Sequence, residues 1–228
     1  MTIIEMFKSA GLAINEAQEQ QFQTLFEFMV EYNRNVNLTS ITEFEDVVLK
    51  HFIDSILPFS MLGIHGDETF IDVGTGAGFP SLPLLIYYPN LVGTLCDSLA
   101  KRCTYLELVC EKIGVKAEIV HARSEELGRA RREQYDIATA RAVAAMPVLT
   151  EFCLPFVKVG GRFVALKSVN EDISAAGNAI KMLGGQLEKT EDYKLPNGDG
   201  RRLAVVKKIS QTPTKYPRSY ANITKKPL

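Results

Sequence analysis

Apolar residues in the first quarter of the chain recur at helical spacing. Between Asn15 and Tyr32, the residues Phe22, Leu25, Phe26, Met29 and Tyr32 fall three and four positions apart, one stripe of an amphipathic helix. A second stripe runs through Phe44, Val47, Val48, Phe52, Ile56 and Leu57, and Pro58 is expected to limit it. Thr2 and Glu5 have capping-box spacing, which predicts a short opening helix. The polar NRNVNLTS between the stripes reads as a turn organised by Asn33 and Asn37. From Thr69 the period changes, and short apolar runs alternate with helical stretches, the signature of βαβ units around a parallel sheet. Strands are expected over 70–73, 93–96, 118–121, 136–140 and 162–166, with helices over 82–88, 99–113, 125–131, 147–157 and 172–183. Two last strands, 187–193 and 203–208, lie too close for a helical crossover and are expected to be antiparallel. The reading is an α/β, doubly wound, seven-stranded Rossmann-like core over 63–210. It follows a helical extension over 1–62 and precedes an irregular tail over 211–228.

The first strand runs into Gly74-Thr-Gly76-Ala-Gly78-Phe79-Pro80 and then a helix. Glycines at the carboxyl end of a central strand let backbone approach a ligand without an intervening Cβ. The spacing G-x-G-x-G differs by one residue from the dinucleotide fingerprint. Asp72 would repel a pyrophosphate and attract the ammonium of a methionine moiety, which favours S-adenosyl-L-methionine over NAD. Asp97 follows the second strand, 19 residues after Gly78, where an acid accepts from ribose hydroxyls; its alternative is the N-cap of the helix begun by DSLAKR. Glu125 follows the third strand and, with the Ser124 backbone, is placed to line an adenine pocket.

Composition removes other classes. The four cysteines form no C-x-x-C pair and have no histidine at ligand spacing, so no metal site is expected and the thiols read as reduced and packed. No stretch is long and apolar enough for a membrane helix, no signal peptide is visible, and a cytoplasmic monomer is expected. The net charge of −1 hides an asymmetry. From Gly200 onward lie eight basic residues and no acid, against 18 basic and 27 acidic residues before, or +8 against −9. Such a basic end suggests a polyanion partner.

The runs YNRNVNLTS, KHFIDSILP, FIDVGTGAGFPSLPL, CDSLAKR, ARSEE, YDIATARAVA, FVALK and TPTKYPR resemble, in order and over nearly the whole chain, the RsmG (glucose-inhibited division protein B) family. That resemblance implies a methyltransferase acting from S-adenosyl-L-methionine on N7 of a guanine in small-subunit ribosomal RNA, free or as the 30S particle. Residue by residue, it puts Gly74 and Phe79 against the cofactor and Asp97, Ser98 and Leu99 at the ribose. Ser124 and Glu125 fall at the adenine, and Arg141 near the methyl-transfer end. Gly76 joins the cofactor set through the glycine loop. Arg141 and Arg123 are the candidates for contacting guanine O6 or a phosphate during transfer. Lys167, Arg201, Lys215 and Arg218 are candidate phosphate contacts, Tyr216 and Tyr220 candidate stacking residues, and His51 is read as a capping or core histidine. Three alternatives stay open: methylation of a protein or small molecule, an RNA-binding assembly protein that keeps the fold without turnover, and an NAD-dependent oxidoreductase.

Overall fold

The computed structural model describes residues 1–228. Seven strands form one sheet: β1 (Thr69–Val73), β2 (Val92–Asp97), β3 (Ala117–His121), β4 (Tyr135–Arg141), β5 (Val157–Lys167), β6 (Gly185–Lys194) and β7 (Gly200–Lys208), in the order β3-β2-β1-β4-β5-β7-β6. The first five are parallel, whereas β7 pairs antiparallel with both β5 and β6. The strand order reverses at β1, so the carboxyl ends of β1 and β4 flank the switch point where doubly wound sheets bind ligands.

Alternation along the strands builds a core on each face. Phe70, Leu95 and Val164 point into a cluster of 34 buried residues, while Ile71, Cys96 and Ala165 point into a second cluster of 25. The N-terminal helices complete the first cluster. Helix α1 (Ile3–Ser9) opens with the Thr2–Glu5 capping box, and α2 (Glu16–Val36) with a second box from Asn15 and Gln18. Phe7, Phe22, Met29 and Phe52 from this layer join Phe70, Leu82 and Tyr105 from the sheet side in one continuous apolar body. Fully burying a side chain of this size stabilises by roughly 1.5–3 kcal/mol, so the layer is bound to the sheet by packing rather than by a tether.

The second stripe departs from expectation. Helix α3 (Phe44–Val47) passes into a π-helical segment, Val48–Ile53, and continues as α4 (Asp54–Leu62). Pro58 lies inside α4 and does not stop it. Its missing N–H costs one bond to the Asp54 carbonyl, at a place where the wider π turn has already disturbed the ladder. Helices α5 (Ser81–Tyr87), α6 (Ala100–Ile113), α7 (Ser124–Ala130), α8 (Met146–Cys153) and α9 (Gly177–Met182) cover the sheet as the pattern predicts. The segments around 154–156 and 174–176 tighten to 3-10 turns.

The tail has no helix or strand over 211–219, yet side chains tie it to the core along its length. Arg129 donates to the Pro217 carbonyl, Arg132 to the carbonyls of Thr212 and Tyr216, and Glu133 accepts from the Thr212 N–H. Glu151, fully buried, accepts from the Arg218 N–H and binds its guanidinium through both oxygens. Tyr216 and Ile223 are buried in the second core cluster, and the chain ends in a short helix, α10 (Tyr220–Lys225). Four of the eight cations from Gly200 onward are paired with acids of the same chain, three of them on β7. Arg201 pairs with Asp54, Arg202 with Asp192, Lys208 with Glu133 and Arg218 with Glu151.

Candidate active site

The glycine loop leaves β1 and returns under the end of β2. The N–H groups of Gly74 and Thr75 donate to the Cys96 carbonyl, and the Gly76 N–H donates to Asp97 Oδ2 at 3.0 Å. Gly74 has φ +72°, and a Cβ there would meet Val143 at 2.8 Å. At Gly78, φ is +90° and a Cβ would lie 2.3 Å from Leu82. Both positions therefore require glycine, one for a close approach across the site and one for the turn into α5.

Asp97 is buried and already accepts from Gly76 N–H, Leu99 N–H (2.9 Å) and Arg102 (3.3 Å). The capping alternative does not hold: the N-cap of α6 is Leu99, without a side-chain cap bond, and Asp97 makes only a local bond to the Leu99 N–H. A carboxylate offers about four acceptor sites, which leaves room for one further donor such as a ribose hydroxyl. Gly74, Asp97, Ser98, Arg123, Ser124 and Glu125 line one cavity of about 200 Å³. Gly76, Phe79 and Leu99 are not on its wall; Gly76 and Leu99 act on it only through Asp97. Asp72 does not reach it either. Its side chain is fully buried, Oδ2 accepts from Ser81 at 2.5 Å and Oδ1 has no partner. Burial pushes this carboxyl up to about 7, against the hydrogen bonds from Ser81 and Thr75 and the charge of Arg141. Asp72 is thus walled off from this cavity, against the expectation that it meets a ligand's ammonium directly.

Arg141, at the end of β4, belongs to a second and larger cavity of about 590 Å³. Lys50, His51, Asp54, Lys167, Tyr193 and Arg201 are among its other walls. Arg141 donates to the Lys50 carbonyl (3.0 Å) and to His51 Nδ1 (2.9 Å), lies 5.1 Å from the Phe79 ring centroid and forms a long ion pair with Asp54 (3.9 Å). The π turn matters here: it carries Lys50 and His51, and in it the Asp54 N–H bonds to the Leu49 carbonyl rather than to that of Lys50. Guanidinium can only donate, so His51 Nδ1 accepts and its proton sits on Nε2, 2.9 Å from Thr39 Oγ1. Burial, helped by the Arg141 charge, brings the imidazole down to about 3. The ring stacks on Phe79 at 4.4 Å. Thr39 is in turn held by Asn33, whose side chain accepts from the Leu38 and Thr39 N–H groups and donates to the Thr39 carbonyl. A relay Asn33–Thr39–His51–Arg141 thus connects the helical layer to β4. His51 is thus a buried, fully bonded histidine, in keeping with the core reading from sequence, and its place beside Arg141 is what the run KHFIDSILP alone did not reveal.

The remaining candidates divide. Lys167 and Arg201 line the larger cavity, Lys167 bonded to Glu171 (3.1 Å) and Arg201 to Asp54 (2.9 Å). Lys215 stays at the surface beside the Tyr216 ring. Arg218 is spent on Glu151, and Tyr216 is buried, so neither is presented to a partner. Arg123 sits with the smaller cavity, apart from Arg141, its guanidinium 4.9 Å from the Tyr220 ring centroid. The two cavities share Val143 and Ala144, which form the wall between them.

The fold is the Rossmann-like one that solved methyltransferases also have. It superposes with a TM-score of 0.55 on a 16S rRNA (adenine(1408)-N(1))-methyltransferase from Catenulisporales acidiphilia, at 13% identity over 71% of this chain and 93% of that one. The precorrin-6y C5,15-methyltransferase of Geobacter metallireducens is similar at 0.52, with 13% identity over 68% and 87%. Sequence narrows the class. A family model described as rRNA small subunit methyltransferase G matches residues 18–200. The ribosomal RNA small subunit methyltransferase G of Lactobacillus acidophilus is 46% identical over 99% of this chain and 97% of its own length. The chain belongs to the rRNA small subunit methyltransferase G family.

Proposed function

We propose that this protein transfers a methyl group from S-adenosyl-L-methionine to N7 of a guanine in small-subunit ribosomal RNA. The observation that carries the reading is the pair of cavities on either side of Val143 and Ala144, at the switch point of the sheet. The smaller fits the nucleoside end of the cofactor: Asp97 keeps one acceptor site, Gly74 allows close approach, and Glu125 and Ser124 line the same space. When bound, the cofactor supplies an electrophilic methyl on a sulfonium. The larger cavity, walled by Lys50, Arg141, Lys167 and Arg201, suits a base together with its phosphate.

The chemistry asks little of acids or bases. Guanine N7 carries a free in-plane lone pair, so no proton has to leave before attack, and the enzyme's task is alignment and exclusion of water. This agrees with His51, whose two nitrogens are both engaged and whose ring stays neutral. Arg141 is fixed by Lys50, His51 and Asp54 to donate toward guanine O6 or a phosphate. Asp54, between Arg141 and Arg201, tempers the positive charge that would otherwise oppose the cationic N7-methylguanine. No helix is long and apolar enough to cross a membrane, and a cytoplasmic monomer meeting the ribosomal subunit there completes the proposal. Purified protein, labelled cofactor and either bare small-subunit rRNA or assembled subunits provide the test, with the modified base mapped. Label at a guanine N7 supports the reading; label at cytosine, adenine or protein overturns it.

A further inference from the structure

Charge alone would make the C-terminal segment an RNA arm, yet its contacts lead to the other ligand. The strap is held along its length by Arg129, Arg132, Glu133 and Glu151, and these anchors deliver α10 to the rim of the smaller cavity. Tyr220 and Thr224 line that cavity together with Gly74, Asp97 and Glu125. The Tyr220 ring lies parallel to Phe152, at 3° and 6.1 Å between centroids, and Phe152 lines the same cavity. On the same ring sits the guanidinium of Arg123, the residue that precedes Ser124 and Glu125. Ile223, one turn further on, is fully buried, so α10 is seated while Tyr220 keeps 46% of its surface exposed.

We propose that Tyr220 is a cofactor-binding residue: α10 forms the outer wall of the purine end of the cavity, with Tyr220, Phe152 and Arg123 as one stacked unit. The inference rests on the cofactor reading above. A flat purine gains from an aromatic wall of this kind whatever its substituents, and the wall also shuts out water on the side that the strand ends leave open. Arg123 then serves by holding Tyr220 and the start of α7 in place, as a positioning residue.

Titration calorimetry with S-adenosylhomocysteine on full-length variants tests this. Tyr220→Ala is expected to bind about tenfold more weakly, Tyr220→Phe within about twofold of the unsubstituted protein, and Lys225→Ala unchanged. Loss of the contacts with Phe152 and Arg123 should lower thermal unfolding of Tyr220→Ala without ligand by only about 2–4 °C, so affinities are compared well below that transition. Affinity of Tyr220→Ala within about twofold of the unsubstituted protein would overturn the proposal. So would weakened binding of small-subunit rRNA with S-adenosylhomocysteine affinity intact, since α10 would then be an RNA contact. Should Tyr220→Ala fail to fold, hydrogen exchange on the unsubstituted chain decides: amides of 219–226 must slow when S-adenosylhomocysteine is added, and no change refutes the wall. Failure of the unsubstituted protein to bind S-adenosylhomocysteine at all would instead remove the cofactor reading itself.

Discussion

The two cavities are built by different means. The smaller is made largely from backbone: a glycine loop, strand ends and N–H groups gathered by Asp97. The larger is made from side chains of widely separated segments, with Asp54 from α4, Arg141 from β4, Tyr193 from β6 and Arg201 from β7 converging on one spot. A backbone site tolerates much change in side chains but almost none in conformation. A side-chain site has the opposite sensitivity, and each loss leaves a buried partner exposed to the cost of its charge.

Substitution at Arg141 should give the largest effect. Arg141→Ala is expected to lower turnover by about 100-fold or more, in the range of losing a preorganised donor, while S-adenosylhomocysteine affinity changes far less. Single-turnover methyl transfer set beside calorimetry checks this, and equal losses in both would mean that Arg141 serves the cofactor rather than the acceptor. Next comes Asp54→Ala, which leaves Arg141 and Arg201 facing each other without their shared anion. A destabilisation of about 3 kcal/mol is expected from breaking a buried pair, read as a lower urea midpoint at constant slope. An unshifted midpoint would show that the cluster is not a unit.

The glycines probe the other side of the comparison. Gly78→Ala combines a positive φ with a 2.3 Å clash and should cost about 2–3 kcal/mol, whereas Gly76→Ala, whose Cβ has nothing nearer than 3.9 Å, should cost about 1 kcal/mol. Equal costs in denaturant melts would mean that backbone strain, not crowding, rules the loop. The pH predictions concern two buried groups that act with opposite sign. His51 is lowered to about 3, so its contribution is full above its unfolded value of 6.5 and is lost as pH falls from there through 3. Asp72 is raised to about 7, so its contribution is full below 3.8 and is lost as pH rises through 7. A cationic ligand nearby favours the ionised Asp72. Binding S-adenosylmethionine just below that value should therefore release a fraction of a proton, detected by calorimetry in two buffers of different ionisation enthalpy and absent in Asp72→Asn.

This division also explains what was legible from sequence. The glycine loop, Asp97 and Glu125 each follow a strand within a few residues, so local spacing exposed them, and the strand and helix order followed from apolar periodicity. The π turn left no trace, because one extra residue in a helical stripe still reads as a helix. Partners such as His51 and Arg141, 90 positions apart, meet only after folding. Charge along the sequence does not show which cations are paired: a run without acids finds its acids in space, as Arg218 finds Glu151 and Arg201 finds Asp54.

The wall formed by Val143 and Ala144 has a thermodynamic consequence. Val143 leans on Gly74 from one side and borders the larger cavity on the other, and Ala142 before it holds a left-handed φ of 57°. On the proposed assignment of the cavities, an occupant that displaced this wall would be felt across it, and the two affinities would then be linked. Linkage is reciprocal: the factor by which a bound cofactor changes RNA affinity is the factor by which bound RNA changes cofactor affinity. On that assignment, a segment two residues thick would set how strongly the two ligands sense each other before any bond is made.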